Sequence, residues 1–154
     1  MKPSRITWRN VAKLFRLAGG ERRLLIAAFS RLLAVDLALR TVGFARTRRW
    51  LGGGRAAGRA ESSGVERWAE VEAVAWAVGA AARHHFYPMR CLARSLAIQG
   101  LLARRGIGCE LLIGVRREAT GALRSHAWLE CLGRAVAEPE DIEERFSSLA
   151  LPAP

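Results

Sequence analysis

From Thr7 to about Ala45 apolar residues recur every three or four positions, first near Val11 to Leu17 and then from Glu21 to Phe44, with Gly19-Gly20 between. That period predicts two helices broken at the glycine pair. The pattern then lapses: "RTRRWLGGGRAAGRAESSG", Arg46 to Gly64, is rich in Gly and Arg and reads as a flexible connection. Ser63 and Glu66 have capping-box spacing ahead of the stripe Trp68, Val71, Val74, Ala75 and Val78, which predicts a helix over about 65–83.

Pro88 closes the next connection, and "CLARSLAIQGLLARR" predicts a second helix to about Arg105, with arginines at its negative end and Gly106 as a left-handed stop. The period then drops to two. "CELLIGVR", Cys109 to Arg116, and "SHAWLEC", Ser125 to Cys131, predict strands joined by the polar loop "REATGALR", and "RAVAE", Arg134 to Glu138, predicts a third. A short helix is expected before Pro152. Helices followed by an antiparallel sheet make the fold class α+β.

A chain of 154 residues with 51% apolar content buries one proper core. Charge divides it. Residues 1–60 carry 14 Lys/Arg against Glu21 and Asp36, whereas residues 61–154 carry 11 Arg against 12 acids, so the net charge of +11 belongs to the N-terminal part. The expected organisation is therefore a basic helical region with a Gly/Arg linker over 1–60, followed by a domain over 61–154. An evenly basic nucleic-acid binder is disfavoured, although basic helices of this kind also suit an anionic membrane surface.

The apolar runs "LLIAAF" and "LLAV" are interrupted by Arg31, Asp36 and Arg40, so no stretch of roughly 20 residues is suited to cross a bilayer, and no secretory signal follows Met1. Three cysteines without regular spacing argue against a disulfide framework and fit a reducing compartment. The expected location is cytoplasmic, with peripheral membrane contact through the basic helices as an addition.

Candidate chemistry centres on Cys91. A helix start is locally positive and favours a thiolate there, and a nucleophilic cysteine needs a histidine to take its proton and an acid to orient that histidine. In "HAWLECL" the alternation puts His126, Trp128 and Glu130 on one face and Ala127, Leu129 and Cys131 on the other. A three-residue hairpin loop at "CLG" would set Glu130 opposite Arg134 and His126 opposite Glu138, within reach of the imidazole; a slip of one residue would put Pro139 there instead. The His126–Glu138 pair is expected on the face against which the Cys91 helix packs.

The other polar residues have plainer readings. Cys109 and Cys131 read as packed at strand edges. His84 and His85 are loop residues beside the cleft, and their spacing with Cys91 and His126 matches no common zinc site, so no metal is expected. Trp128 is either a cleft wall or a sheet-core aromatic. Arg94 and Ser95 read as helix-surface and packing residues.

The order cysteine, histidine, acid is that of papain-like and transglutaminase-like folds. The segments "CLARSLAIQGLLARRGI", "ELLIGVRR", "SHAWLECLGRAVAE" and "DIEERFSSL" together resemble the leader peptidase, or B protein, of lasso-peptide biosynthesis, over roughly Val65 to Leu149. The resemblance implies a transglutaminase-like cysteine protease that removes the leader from a ribosomally made precursor, with Cys91 as nucleophile, His126 as general base and acid, and Glu138 as the orienting acid. That family usually has aspartate at the third position, and Asp141 is the alternative.

Residues 1–60 lack the strand signals of a winged-helix recognition domain, so the resemblance implies the split form, whose partners are the precursor peptide, a separate leader-recognition protein and a cyclase. No cofactor is expected for hydrolysis. The resemblance also raises an ATP requirement, but "GGG" at Gly52 to Gly54 lacks the lysine and hydroxyl of a P-loop. Two rival readings remain: a basic module binding nucleic acid or a membrane surface, and acyl transfer to an amine by the same Cys-His pair.

Overall fold

The computed structural model describes residues 19–50, 64–139 and 141–149. Helix α1 spans Gly19–Thr41, α2 Gly43–Trp50, α3 Gly64–Arg83 and α4 Cys91–Ala103. Strands β1, Cys109–Arg117, and β2, Leu123–Cys131, precede the short β3, Arg134–Ala135, the single turn α5, Ile142–Arg145, and β4, Ser147–Leu149. The helix expected near Val11 to Leu17, the Ser63 cap, the middle of the Gly/Arg connection and the chain end around Pro152 lie outside the described residues.

Helix boundaries follow local chemistry. Gly19 and Gly20, expected as a break, form the first residues of α1. Gly43, at φ 78°, ends that helix and begins α2, so Arg46 to Trp50 are helical where a flexible connection was expected. At the other end of α4, Gly106 takes φ 74° as expected, and its N–H and that of Ile107 donate to the carbonyls of Ala103 and Leu102. These two bonds form the Schellman closure that satisfies carbonyls left over at a helix end.

The apolar stripes meet in one core. Val71, Val74, Ala75 and Val78 of α3 are buried as their spacing requires, against Ala93, Leu96, Ala97 and Leu101 of α4. Composition sets residues 1–60 apart, yet Ala28, Leu32 and Val35 of α1 are fully buried in that same core. Fully burying a leucine is worth about 1.5–3 kcal/mol, so α1 is bound to the fold by its packing despite the charge on its other sides.

The sheet is antiparallel with strand order β3-β2-β1-β4. Ala127, Leu129 and Cys131 of β2 face the helical core, while Trp128 joins Ile142 and Phe146 in a smaller cluster. Strand β4 adds to the outer edge of β1 and has no sequence signal, because three residues are too few to show alternation.

Two expectations about the sheet are corrected. Cys109 and Cys131 are directly paired across β1 and β2 and joined in a disulfide, with Cα atoms 4.3 Å apart. Counting and spacing cysteines could not show that two distant ones would meet at one close cross-strand pair. The β2–β3 loop holds two residues, Leu132 at φ 54° and Gly133 at φ 73°, as in a type I′ turn, where three were expected. Glu130 therefore pairs with Ala135, one residue out from the expected register, and the third strand stops at Ala135 before reaching Glu138.

Candidate active site

Cys91 is the first residue of α4, half-buried, and the only free cysteine. Arg90 before it is extended, at φ −69° and ψ 152°, and offers no side-chain cap; the first turn also carries no acid. The leading N–H groups of the helix that Cys91 begins thus receive no side-chain cap from Arg90 and no acid from the first turn.

His126 sits near the middle of β2, opposite Gly114 of β1. Its ring lies nearly parallel to Trp128, 15° apart with centroids at 6.2 Å, and 5.5 Å from Phe146. A Cβ at Gly114 would come within 2.7 Å of Phe146 Cβ and 2.9 Å of the Trp128 ring, so glycine is what lets these aromatics close beside the imidazole. Trp128 is a buried sheet-core residue, which decides between its two readings, and it still flanks the histidine.

Glu138 Oε1 is 2.9 Å from His126 Nε2. In the observed register a continued strand would have put Pro139 there. The ladder instead ends after Val136 donates to the Leu129 carbonyl, and Ala137 at φ 56° turns the chain so that Glu138 returns to the imidazole. Asp141 is exposed, with its carboxylate 3.8 Å from Arg145, and the acid at His126 is Glu138. A carboxylate at Nε2 favours the tautomer with its proton there, leaving Nδ1 to accept one.

The placement of Cys91 relative to this pair differs from expectation. Helix α4 packs on the Ala127/Leu129/Cys131 face, because its own apolar stripe meets those alternate residues, whereas His126 belongs to the Trp128 face. No hydrogen bond joins Cys91 to His126 among the described residues. Helix α4 is joined to β2 at the residue next to His126. Strand β3 has ended at the level of Ala127, and Ser95 Oγ, one turn along α4 from Cys91, donates to the Ala127 carbonyl at 3.0 Å. Arg94 of the same turn shares a groove with Glu138.

Farther along α4, Gln99 donates to the Cys109 carbonyl at 2.9 Å, so the helix is pinned to both strands at positions four residues apart. The segment leading into Cys91 is anchored to α1. Tyr87 donates to Asp36 Oδ2 at 2.7 Å, and Arg40 Nε donates to the same oxygen at 2.6 Å. Burial works to raise the Asp36 pKa, but the hydrogen bonds from Tyr87 and Arg40 outweigh it and hold the carboxyl below its ordinary value. The same bond to Asp36, aided by burial, raises the Tyr87 phenol.

His85, expected beside the cleft, is instead buried and stacked on Phe29 at 4.7 Å, with neither ring nitrogen hydrogen-bonded. Burial lowers its pKa, partly offset by Asp36. The sequence reading missed Gly114, Phe146, Asp36 and Tyr87. Only the aromatic run "FYP" just before Cys91 hinted that this segment would be anchored.

Among the described residues no group of three His, Cys, Asp or Glu could hold a metal ion, and no helix is long and apolar enough to cross a membrane. Compared with known proteins, the chain matches a family model described as the transglutaminase-like superfamily over residues 32–150. No curated protein and no solved structure matches it.

Proposed function

The chain belongs to the transglutaminase-like superfamily, and from that premise we propose that it is a cysteine peptidase that cleaves the leader from a ribosomally made lasso-peptide precursor. The observation that carries this reading is the His126–Glu138 pair at 2.9 Å, held near the open edge of β2 to which the Cys91 helix is fastened through Ser95. The superfamily includes cysteine peptidases, and the spaced motifs around Cys91, His126 and Glu138 are those that resemble the leader peptidases.

In this reading the Cys91 sulfur attacks the carbonyl carbon at the leader-core junction, and the imidazole meets the thiol across the β2 edge through Nδ1. A C–S bond forms, the C–N bond breaks, and His126 passes the proton taken from the thiol to the leaving core amine. Water then adds to the thioester, releasing the leader carboxylate and returning the proton to sulfur. Glu138 keeps the Nε2 proton in place and stabilises the imidazolium between the two halves. The N–H groups of the first turn of α4, which carry no side-chain cap from Arg90, would receive the oxyanion. A separate recognition protein presents the leader, a cyclase takes the released core, and hydrolysis itself requires no cofactor.

The test is leader release from a precursor in the presence of its recognition protein, with and without ATP, comparing wild type with Cys91→Ala. Release by the wild type alone is expected; equal release by the alanine variant would overturn the reading. Mass spectrometry of the products distinguishes hydrolysis from transfer to an amine, which would use the same residues.

A further inference from the structure

A hollow of about 780 Å³ runs between α3 and the free edge of β3. We propose that this groove binds an extended peptide segment carrying acidic side chains and leads it toward His126.

The charges in the groove decide the sign of the ligand. Arg83, Arg94 and Arg134 in its lining outnumber Glu72 and Glu138; Glu72 accepts the Trp68 indole N–H at 2.9 Å, and Glu138 is bonded to His126. Neither Arg94 nor Arg134 has an ion-pair partner among the described residues, and Arg134 lies over the Trp68 ring at 4.2 Å. This excess of positive charge within one concavity suits an anionic partner, and arginine forks suit carboxylates in particular.

The shape favours an extended chain. Strand β3 ends the sheet, and Arg134 pairs with Cys131 across the turn while Val136 donates to Leu129. Alternation along an antiparallel ladder then turns the N–H and C=O of Ala135 outward, toward the groove, where a bound strand would pair with them. Trp76 of α3, 51% exposed, faces the same hollow and offers apolar surface for an alternate side chain. Glu138 lines the groove and contacts His126, so a chain seated there reaches the proposed peptidase site.

The direction toward His126 rests on the peptidase reading; the binding itself does not. The test measures fluorescence anisotropy of labelled eight-residue peptides alternating valine with glutamate, glutamine or lysine, using the full chain bearing Cys91→Ala so that nothing is cleaved. The glutamate peptide is expected to bind at least tenfold tighter than the glutamine one, and Arg94→Glu with Arg134→Glu is expected to abolish that preference and favour the lysine peptide. Because Arg134→Glu also removes the contact with Trp68, Arg94→Gln alone serves as a milder variant, with a severalfold loss expected and an unchanged circular dichroism spectrum. Equal binding of all three peptides, or a preference unaltered by the arginine variants, would overturn the proposal. A chain that prefers the glutamate peptide but releases no leader would refute the peptidase reading and leave this one standing.

Discussion

Glu138 reaches His126 only because Ala137, between it and the β3 ladder, adopts φ 56°. A left-handed residue with a Cβ costs roughly 1–2 kcal/mol, so Ala137→Gly should stabilise the fold by up to about 1 kcal/mol and leave leader release within twofold. Ala137→Val, whose branched Cβ is poorly tolerated there, should lower both the thermal midpoint and kcat, because relaxing the backbone withdraws Glu138. Melting curves together with steady-state cleavage check this; a fully active valine variant would show that the turn does not set the pair.

Replacing Glu138 itself separates charge from shape. Glu138→Gln can still accept from Nε2–H but cannot stabilise an imidazolium, and kcat should fall by roughly 10²-fold with little change in melting temperature. Asp141→Asn should have no such effect, since Asp141 is exposed and faces Arg145. Equal losses in the two variants would remove Glu138 from its assigned role.

Gly114 sits opposite His126, under Trp128 and Phe146. The indole is fully buried and Phe146 is approached at its own Cβ, so neither neighbour can simply swing aside. Gly114→Ala should therefore cost about 1–3 kcal/mol of stability, the usual penalty for overpacking, and displace the aromatics that flank the imidazole. Urea unfolding and the His126 ring resonances in NMR spectra report the two effects; an unchanged unfolding midpoint would contradict the packing described.

The disulfide makes a different prediction. Cys109 and Cys131 are 22 residues apart, a loop whose closure is worth about 3 kcal/mol in the unfolded chain. Reduction, or Cys109→Ser with Cys131→Ser, should lower stability by about that amount. His126 lies five residues along β2 from Cys131, roughly 16 Å at the usual rise, so the site should survive where the protein remains folded. Iodoacetamide without reductant should modify Cys91 alone, read by mass spectrometry; labelling of all three cysteines would show that the bridge is absent.

What the sequence made legible was periodic or local. The α3 and α4 stripes, the Gly106 stop and the two long strands followed from spacing alone, and so did the helix start at Cys91. The His126–Glu138 pair was expected from a hairpin register that the structure does not adopt: the turn is one residue shorter, and the left-handed Ala137 restores the contact. Such compensation is invisible to a pattern of apolar and polar positions, because alanine carries no signal for positive φ. The face carrying the Cys91 helix was misjudged for a similar reason. Alternation separates the two faces of β2, but only packing decides which one α4 covers. Contacts between distant elements, such as Tyr87 with Asp36 and Cys109 with Cys131, depend on the assembled fold.

Acid sensitivity should originate at His85. Burial holds its pKa below the ordinary imidazole value of about 6.5, with Asp36 opposing, so between those values the unfolded chain binds a proton that the folded protein does not. The contribution of His85 is therefore fully present above about pH 6.5 and is lost as pH falls through the folded value. Asp36, also held below its ordinary value, adds a further loss only as pH drops below about 4. Both His85 ring nitrogens are buried without a hydrogen bond, so His85→Phe removes two unsatisfied polar atoms while keeping the stack on Phe29. That variant should unfold at a higher midpoint at pH 5.5 than the wild type and show a flatter dependence of the midpoint on pH between 7 and 5. Parallel pH profiles for the two proteins would mean that His85 is not the group titrating.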